Sequence, residues 1–325
     1  MIDLEIELKS GLGKEPVWVG LGILVFVYAL IISEVVHRTL AAAIGGLAAL
    51  VALNYYKKGG ALSLAETTAL IEWETIGLLL GMMIMVGIMA HTGIFEWFAV
   101  QAYKQSKGNV WSLVVILCVV TAVLSAFLDN VTTMLLLTPV TIQLARVLDL
   151  NPIPLLISEV IFSNIGGTAT MIGDPPNIII GSTMSESAIA GNEKAEIAAL
   201  ASEGVTFTDF IVELAPGVLL TAVPCLMMVK WMYASEFAGE RIRDVKELEA
   251  KYGIKDAKML KVSGTILALV ILGFFLNPIH HVSVSWVALV GAVLMVLATD
   301  RHELEEPLEK VEWTTLLFFA GLFVL

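Results

Sequence analysis

Ten apolar runs limit what this chain can fold into: Val17–Ser33, Leu40–Leu53, Ile76–Ala90, Val110–Leu128, Val131–Leu144, Ile153–Ser163, Phe210–Met232, Leu260–Leu276, Val284–Ala298 and Trp313–Leu325. At 1.5 Å of rise per residue, the longer runs reach across a bilayer's hydrocarbon core. With 58% hydrophobic and 15% charged residues and a mean hydropathy of +0.86, the chain lies outside the soluble globular range. The expected fold is an all-α polytopic membrane protein of the cytoplasmic membrane, with lipid as its first partner. The net charge of −12 falls in loops and the amino terminus rather than on a basic face, so nucleic acid is not an expected partner. Cys118 and Cys225 lie inside apolar runs and read as small packing residues, giving neither disulfide nor metal site. His37, His91, His280, His281 and His302 fall near span ends or in loops and read as solvated. The acidic first sixteen residues lack a basic region with a cleavage site, so the first span is expected to be retained.

One run does not continue as a helix should. Residues 164–177 read Asn-Ile-Gly-Gly-Thr-Ala-Thr-Met-Ile-Gly-Asp-Pro-Pro-Asn. Unwound backbone at membrane depth survives only where protein or a water-filled cavity satisfies its polar groups. Secondary transporters build midplane sites from broken helices of this kind.

The densest basic group, eight Lys and Arg residues from Lys230 to Lys261, places that charge-rich loop in the cytoplasm. Glu186–Asp209 and the amino terminus then fall outside. Lys104, Lys107 and Arg146 must share the cytoplasmic side although two apolar runs separate Lys107 from Arg146. A full helical hairpin and a re-entrant one both satisfy this. The short turn at Asp129-Asn130, followed by Thr132 and Thr133, favours a re-entrant tip, with an Asp or Asn capping the second helix.

Ile71-Glu-Trp-Glu-Thr-Ile-Gly-Leu-Leu-Leu-Gly returns 240 residues later as Val311-Glu-Trp-Thr-Thr-Leu-Leu-Phe-Phe-Ala-Gly. Each copy follows two apolar runs and an acidic link, and the threading runs the two copies in opposite directions. That is the expectation of an inverted repeat, whose second hairpin and second break would follow Leu325.

Asp129 and Asp174 are acids at membrane depth, where an ionised group is costly and a functional role is the first hypothesis. A capping role for Asp129 is compatible with it. Thr168, Thr170, Asn177 and carbonyls near Gly166 and Gly167 offer hard oxygens to a small cation, and Asn164 can bridge the two half-helices. Pro175 and Pro176 remove amide donors within the break. Beyond the breaks, helix amino termini suit an anion. No Lys or Arg occupies tip or break. The candidate ion- and substrate-binding residues are therefore Asp129, Asn130, Thr132, Thr133, Asn164, Gly166, Gly167, Thr168, Thr170, Gly173, Asp174, Pro175, Pro176 and Asn177. Na+ is expected at Asn130, Thr168 and Asp174. Gly81-Met-Met-Ile-Met reads as packing, the tryptophans as an interfacial belt, and Glu34 as a solvated span-end acid.

Two long strings, Ser125-Ala-Phe-Leu-Asp-Asn-Val-Thr-Thr-Met and residues 164–177, resemble the ion transporter superfamily in its branch of arsenite pumps, sodium/proton antiporters and P-protein relatives. The resemblance covers nearly the whole chain from Glu72 onward. It implies an elevator-type transporter with a scaffold and a moving domain, homodimeric when full length, with a citrate-transporter-like domain. Related dicarboxylate transporters carry Ser-Asn-Thr at the tip; here Asp129-Asn130-Val131 stands there, so Asn130 carries over and Asp129 departs. An added carboxylate disfavours a polyanion.

The resulting domain reading is an outer segment 1–16, scaffold helices 17–109, and hairpin with broken helix 110–187. An outer loop 188–208, a helix 209–232, a cytoplasmic loop 233–259 and the start of repeat 2 at 260–325 complete it. The leading function is secondary active transport of a small ion or oxyanion, arsenite-type or coupled to Na+ or H+, with no other cofactor and no enzymatic activity. An organic-anion (citrate or dicarboxylate) symporter is the alternative. An intramembrane aspartyl protease, a rival class, fits poorly because Met171-Ile-Gly-Asp lacks its Gly-x-Gly-Asp pattern. A channel would be separated from a carrier by saturation and counterflow.

Overall fold

The computed structural model describes residues 15–56, 62–184, 205–241, 253–299 and 305–325. Most of the expected outer segment, most of the 188–208 loop and the middle of the 233–259 loop lie outside these residues. Among the described residues all regular elements are helices, and one isolated bridge joins Asn109 and Glu240. The chain is a multi-pass membrane protein. Among the described residues six helices are long and apolar enough to cross a membrane by length and composition: α1 (Glu15–Ser33), α2 (Arg38–Tyr56), α4 (Trp73–His91), α6 (Val110–Phe127), α10 (Phe207–Met232) and α11 (Ala257–Phe275). The shorter elements are α3 (Leu64–Thr68), α5 (Ile94–Ser106), α7 (Asn130–Val147), α8 (Pro152–Gly167) and α9 (Pro175–Thr183). They continue with α12 (Asn277–His280), α13 (Val284–Thr299), α14 (Glu305–Glu309) and α15 (Trp313–Val324).

Helix α5 is the element that hydropathy does not announce. Glu96, Gln101 and Lys104 dilute its apolar character, yet Phe95, Ala99, Val100, Ala102 and Tyr103 are buried. It packs on α6 and α7 as an amphipathic helix against a core. Helix starts follow local capping chemistry, in which a side-chain oxygen takes an otherwise orphaned amide. Asn109 accepts from Ser112 N at 2.9 Å, Asn151 from Ile153 N at 3.1 Å and Asp256 from Met259 N at 2.8 Å. Ser63 with Glu66, and Thr206 with Asp209, form capping boxes.

The described residues pack as two compact units, one drawn from 1–76 and 312–325 and the other from 77–311. In the first, α2 packs on both α1 and α15. Gly46 and Gly321 face each other there, so that a Cβ on Gly46 would lie 3.0 Å from the Gly321 carbonyl oxygen. Arg38 Nη2 donates to Thr315 Oγ1 at 3.3 Å, Thr39 Oγ1 donates to the Thr314 carbonyl at 2.8 Å, and the Arg38 guanidinium sits 5.8 Å from the Phe318 ring centre. In the second unit, α6, α7 and α8 form the tightest group, flanked by α5 and α10, and α11 packs on α13. Its apolar centre includes Leu113, Leu117, Cys118, Leu144, Phe162 and Val229.

Element order repeats along the chain. Two apolar helices, a five-residue helix and a Glu-Trp-started helix occur as α1, α2, α3, α4, and again as α11, α13, α14, α15.

Candidate functional site

The hairpin of α6 and α7 turns through only Leu128 and Asp129. Asp129 closes the turn as the cap of α7: its Oδ1 accepts from Thr132 N at 2.9 Å and its Oδ2 from Thr132 Oγ1 at 2.5 Å. Buried to 5% exposure, its carboxyl faces the start of its own helix. The expected capping role is therefore present. Thr132 is consumed by it, while Thr133 is buried with no partner for its hydroxyl.

α8 runs up to this tip and ends beside it. Gly166 makes the approach feasible, since a Cβ there would lie 2.1 Å from the Ala122 carbonyl oxygen of α6. Ser163 Oγ lies 3.2 Å from Ser125 Oγ and donates to the Asn130 carbonyl at 3.3 Å. Asn130 Nδ2 donates to Asn164 Oδ1 at 3.1 Å, and Asn164 Nδ2 donates to the Val160 carbonyl at 2.8 Å. The two asparagines thus join tip and half-helix, and they line a groove of about 430 Å³ with Val131, Met134, Thr138 and Ser163.

The unwound stretch runs from Thr168 to Asp174, which corrects three expectations. Gly166 and Gly167 are the last residues of α8 rather than the break itself, and their carbonyls are engaged: Ala169 N donates to Gly166, Asn177 Nδ2 to Gly167. Pro175 and Pro176 open α9 instead of lying in the break, where a missing N–H has no intrahelical partner to lose. Asn164 does not bridge the half-helices. Asn177 does, donating to the carbonyls of Gly167 at 3.1 Å and Thr170 at 3.0 Å. The short residues of the break are needed because Gly167 and Gly173 pass backbone to backbone, with a Cβ on Gly173 only 2.5 Å from the Gly167 oxygen.

Thr170 is buried and ties the break to α6, donating to the Ala126 carbonyl and accepting from Gly173 N at 3.2 Å. Thr168 is exposed and donates to the Asn164 carbonyl at 2.8 Å. Asp174 takes the amides of Asn177 and Ile178 on its carbonyl at the start of α9. Of the expected Na+ ligands, Asn130 and Thr168 therefore meet through Asn164, whereas no hydrogen bond joins the Asp174 carboxylate to either. The site's polar groups separate into an exposed set, Asn164 and Thr168 beside Asn130, and a buried set, Asp129, Thr133 and Thr170.

A further buried acid was not singled out from sequence. Glu159 of α8 accepts from Thr141 Oγ1 of α7 at 2.8 Å. Its signal was an acid within an apolar run.

Residues 28–325 match the citrate transporter family. The chain is 40% identical to the P protein of Homo sapiens over 96% of its own length and 43% of that protein's. It is 37% identical to the uncharacterized transporter Rv2684 of Mycobacterium tuberculosis, over 94% of the chain and 66% of that protein. A 46 kDa membrane protein of Mycobacterium leprae is 37% identical over 94% of the chain and 67% of its own length. The chain spans less than half the length of the human P protein that it matches.

Proposed function

The chain belongs to the citrate transporter family, and on that premise we propose that it is a secondary active transporter working by alternating access, with tip and break as the ion and substrate site. The observation that carries this reading is the meeting of a two-residue hairpin turn with an unwound helix through Asn130 and Asn164. In α8 and α9 the helical parts supply about 24 and about 14 Å of rise, enough together to cross a bilayer with the break between them. The tip stops level with that break, which supports a re-entrant hairpin.

The repeat supports the same reading. Gly81 of α4 packs against α13 as Gly321 of α15 packs against α2, so each half of the sequence lends its Glu-Trp helix to the other half's pair. Each compact unit thus holds a helix pair from one half of the sequence and the Glu-Trp helix of the other. Combined with opposite threading of the copies, it supports an inverted repeat.

The absence of Lys and Arg from tip and break, with two acids present, favours a small cation or neutral species coupled to Na+ or H+ over a bare polyanion. The family's citrate description favours the second reading, an organic anion held by α9's amino terminus and co-bound cations. Internal pH in proteoliposomes of the full-length protein after a sodium jump tests the first. Saturable proton movement lost in Asp129→Asn supports sodium/proton exchange; its absence in both proteins sends the reading to citrate uptake.

A further inference from the structure

Glu159 is 1% exposed in the middle of α8. Its Oε1 meets one donor, the Thr141 hydroxyl, and its Oε2 meets none. An ionised carboxylate is acceptor-only with about four lone-pair positions, so this setting serves the charged form badly. The helices packed most closely on α8 are α6, α7 and α10. The one titratable side chain of α6 is Cys118, α10 contributes Cys225 to the same apolar cluster, and α7 gives the carboxyl the neutral Thr141 hydroxyl. No Lys, Arg or His is among the buried polar side chains of the described residues.

We infer that Glu159 is a proton-binding site separate from Asp129 and Asp174, neutral in this conformation, whose proton the transport cycle withdraws and returns. The second clause rests on the transporter reading; the first does not. Withdrawal breaks the carboxyl O–H bond and passes the proton to water in the groove at the tip, leaving a carboxylate; return reverses this. Buried hydroxyls stand on α6 and α8 toward the tip. Ser163 stands one turn above Glu159 on α8 and Ser125 one turn above Thr121 on α6, each pair sharing a helix face. Ser125 and Ser163 touch at 3.2 Å, Ser163 reaches the Asn130 carbonyl, and the buried Thr121 hydroxyl has no partner.

Infrared difference spectra of the full-length protein in lipid, taken on stepping from acidic to alkaline buffer, read the site directly. The expected result is loss of a neutral carboxyl C=O band on the step, with that loss missing in Glu159→Gln. The glutamine carbonyl keeps the Thr141 contact. Identical spectra for wild type and variant overturn the inference, as does conversion of the band to carboxylate by sodium at constant pH, which would make Glu159 a cation ligand. In Thr141→Val the same band is expected to shift as its C=O loses a hydrogen bond; an unmoved band overturns the assignment. Sodium-jump proton flux in Glu159→Gln is expected to lose its pH dependence. A titrating band in a protein that moves no ion under any gradient supports the proton site and overturns the transport clause alone.

Discussion

The contact of α15 with α2 and the contact of α4 with α13 use different residues to make the same approach. A Cβ on Gly321 would lie 3.0 Å from the Ala42 carbonyl carbon and 3.1 Å from Ala43 N; one on Gly81 would lie 2.8 Å from the Ala288 carbonyl carbon and 3.0 Å from Leu289 N. Gly321 is 240 residues after Gly81, the offset of the Glu-Trp strings, and Ala288 is 246 after Ala42. The match extends outward. Gly45 faces Val27 and Leu325, and Gly291 faces Val270 and Met85, with the valine methyls 2.4 and 2.2 Å from a Cβ added at each glycine. The polar ends have diverged. Thr315 donates to Glu312 at 2.9 Å and accepts from Arg38, whereas Thr75, 240 residues earlier, is buried with its hydroxyl unpartnered. Close backbone packing is thus the shared part of the repeat, because it tolerates no added atom, while hydrogen bonds at helix ends are free to differ.

The largest expected effect comes from filling the two glycines. Gly81→Val and Gly321→Val each meet backbone that cannot rotate away, and each is expected to cost about 1–3 kcal/mol, with Gly81→Val the greater. Thermal unfolding midpoints in detergent check this; a silent Gly321→Val would break the equivalence. Next, Gly291→Ala and Gly45→Ala should each be rescued by truncating the facing valine, Val270→Ala or Val27→Ala, with coupling on the order of 1 kcal/mol. Rescue in one pair only would show that the nodes have come apart beyond their glycines. The polar ends should respond with opposite sign. Thr315→Val loses two partners and is expected to lower stability by about 1 kcal/mol, whereas Thr75→Val removes an unsatisfied hydroxyl and is expected to be neutral or slightly stabilising. Smallest of all, Gly217→Ala on α10 meets nothing within 4 Å, and should change stability by less than about 1 kcal/mol, in the stabilising direction.

The apolar runs, the hairpin turn, the break and the repeat were all legible in the chain because each depends on local chemistry: hydropathy over a span, a cap, a glycine pair, a returning string. Helix α5 escaped because its apolar face is visible only once α6 and α7 bury it. Glu159 escaped because its burial and single donor depend on Thr141, 18 residues away on another helix.

By itself, then, the sequence determined that this is a multi-pass helical membrane protein of the citrate transporter family, with polar residues collected at one turn and one interrupted helix. Tertiary structure alone decided which of those residues face outward and which are spent on the fold. Asn130 and Asn164 met across two helices, Asn177 rather than Asn164 spanned the break, and Thr170 turned inward to α6. The reason is that a side chain's hydrogen-bond partner at membrane depth is set by which backbone groups packing leaves unsatisfied, and packing is a property of the assembled helices.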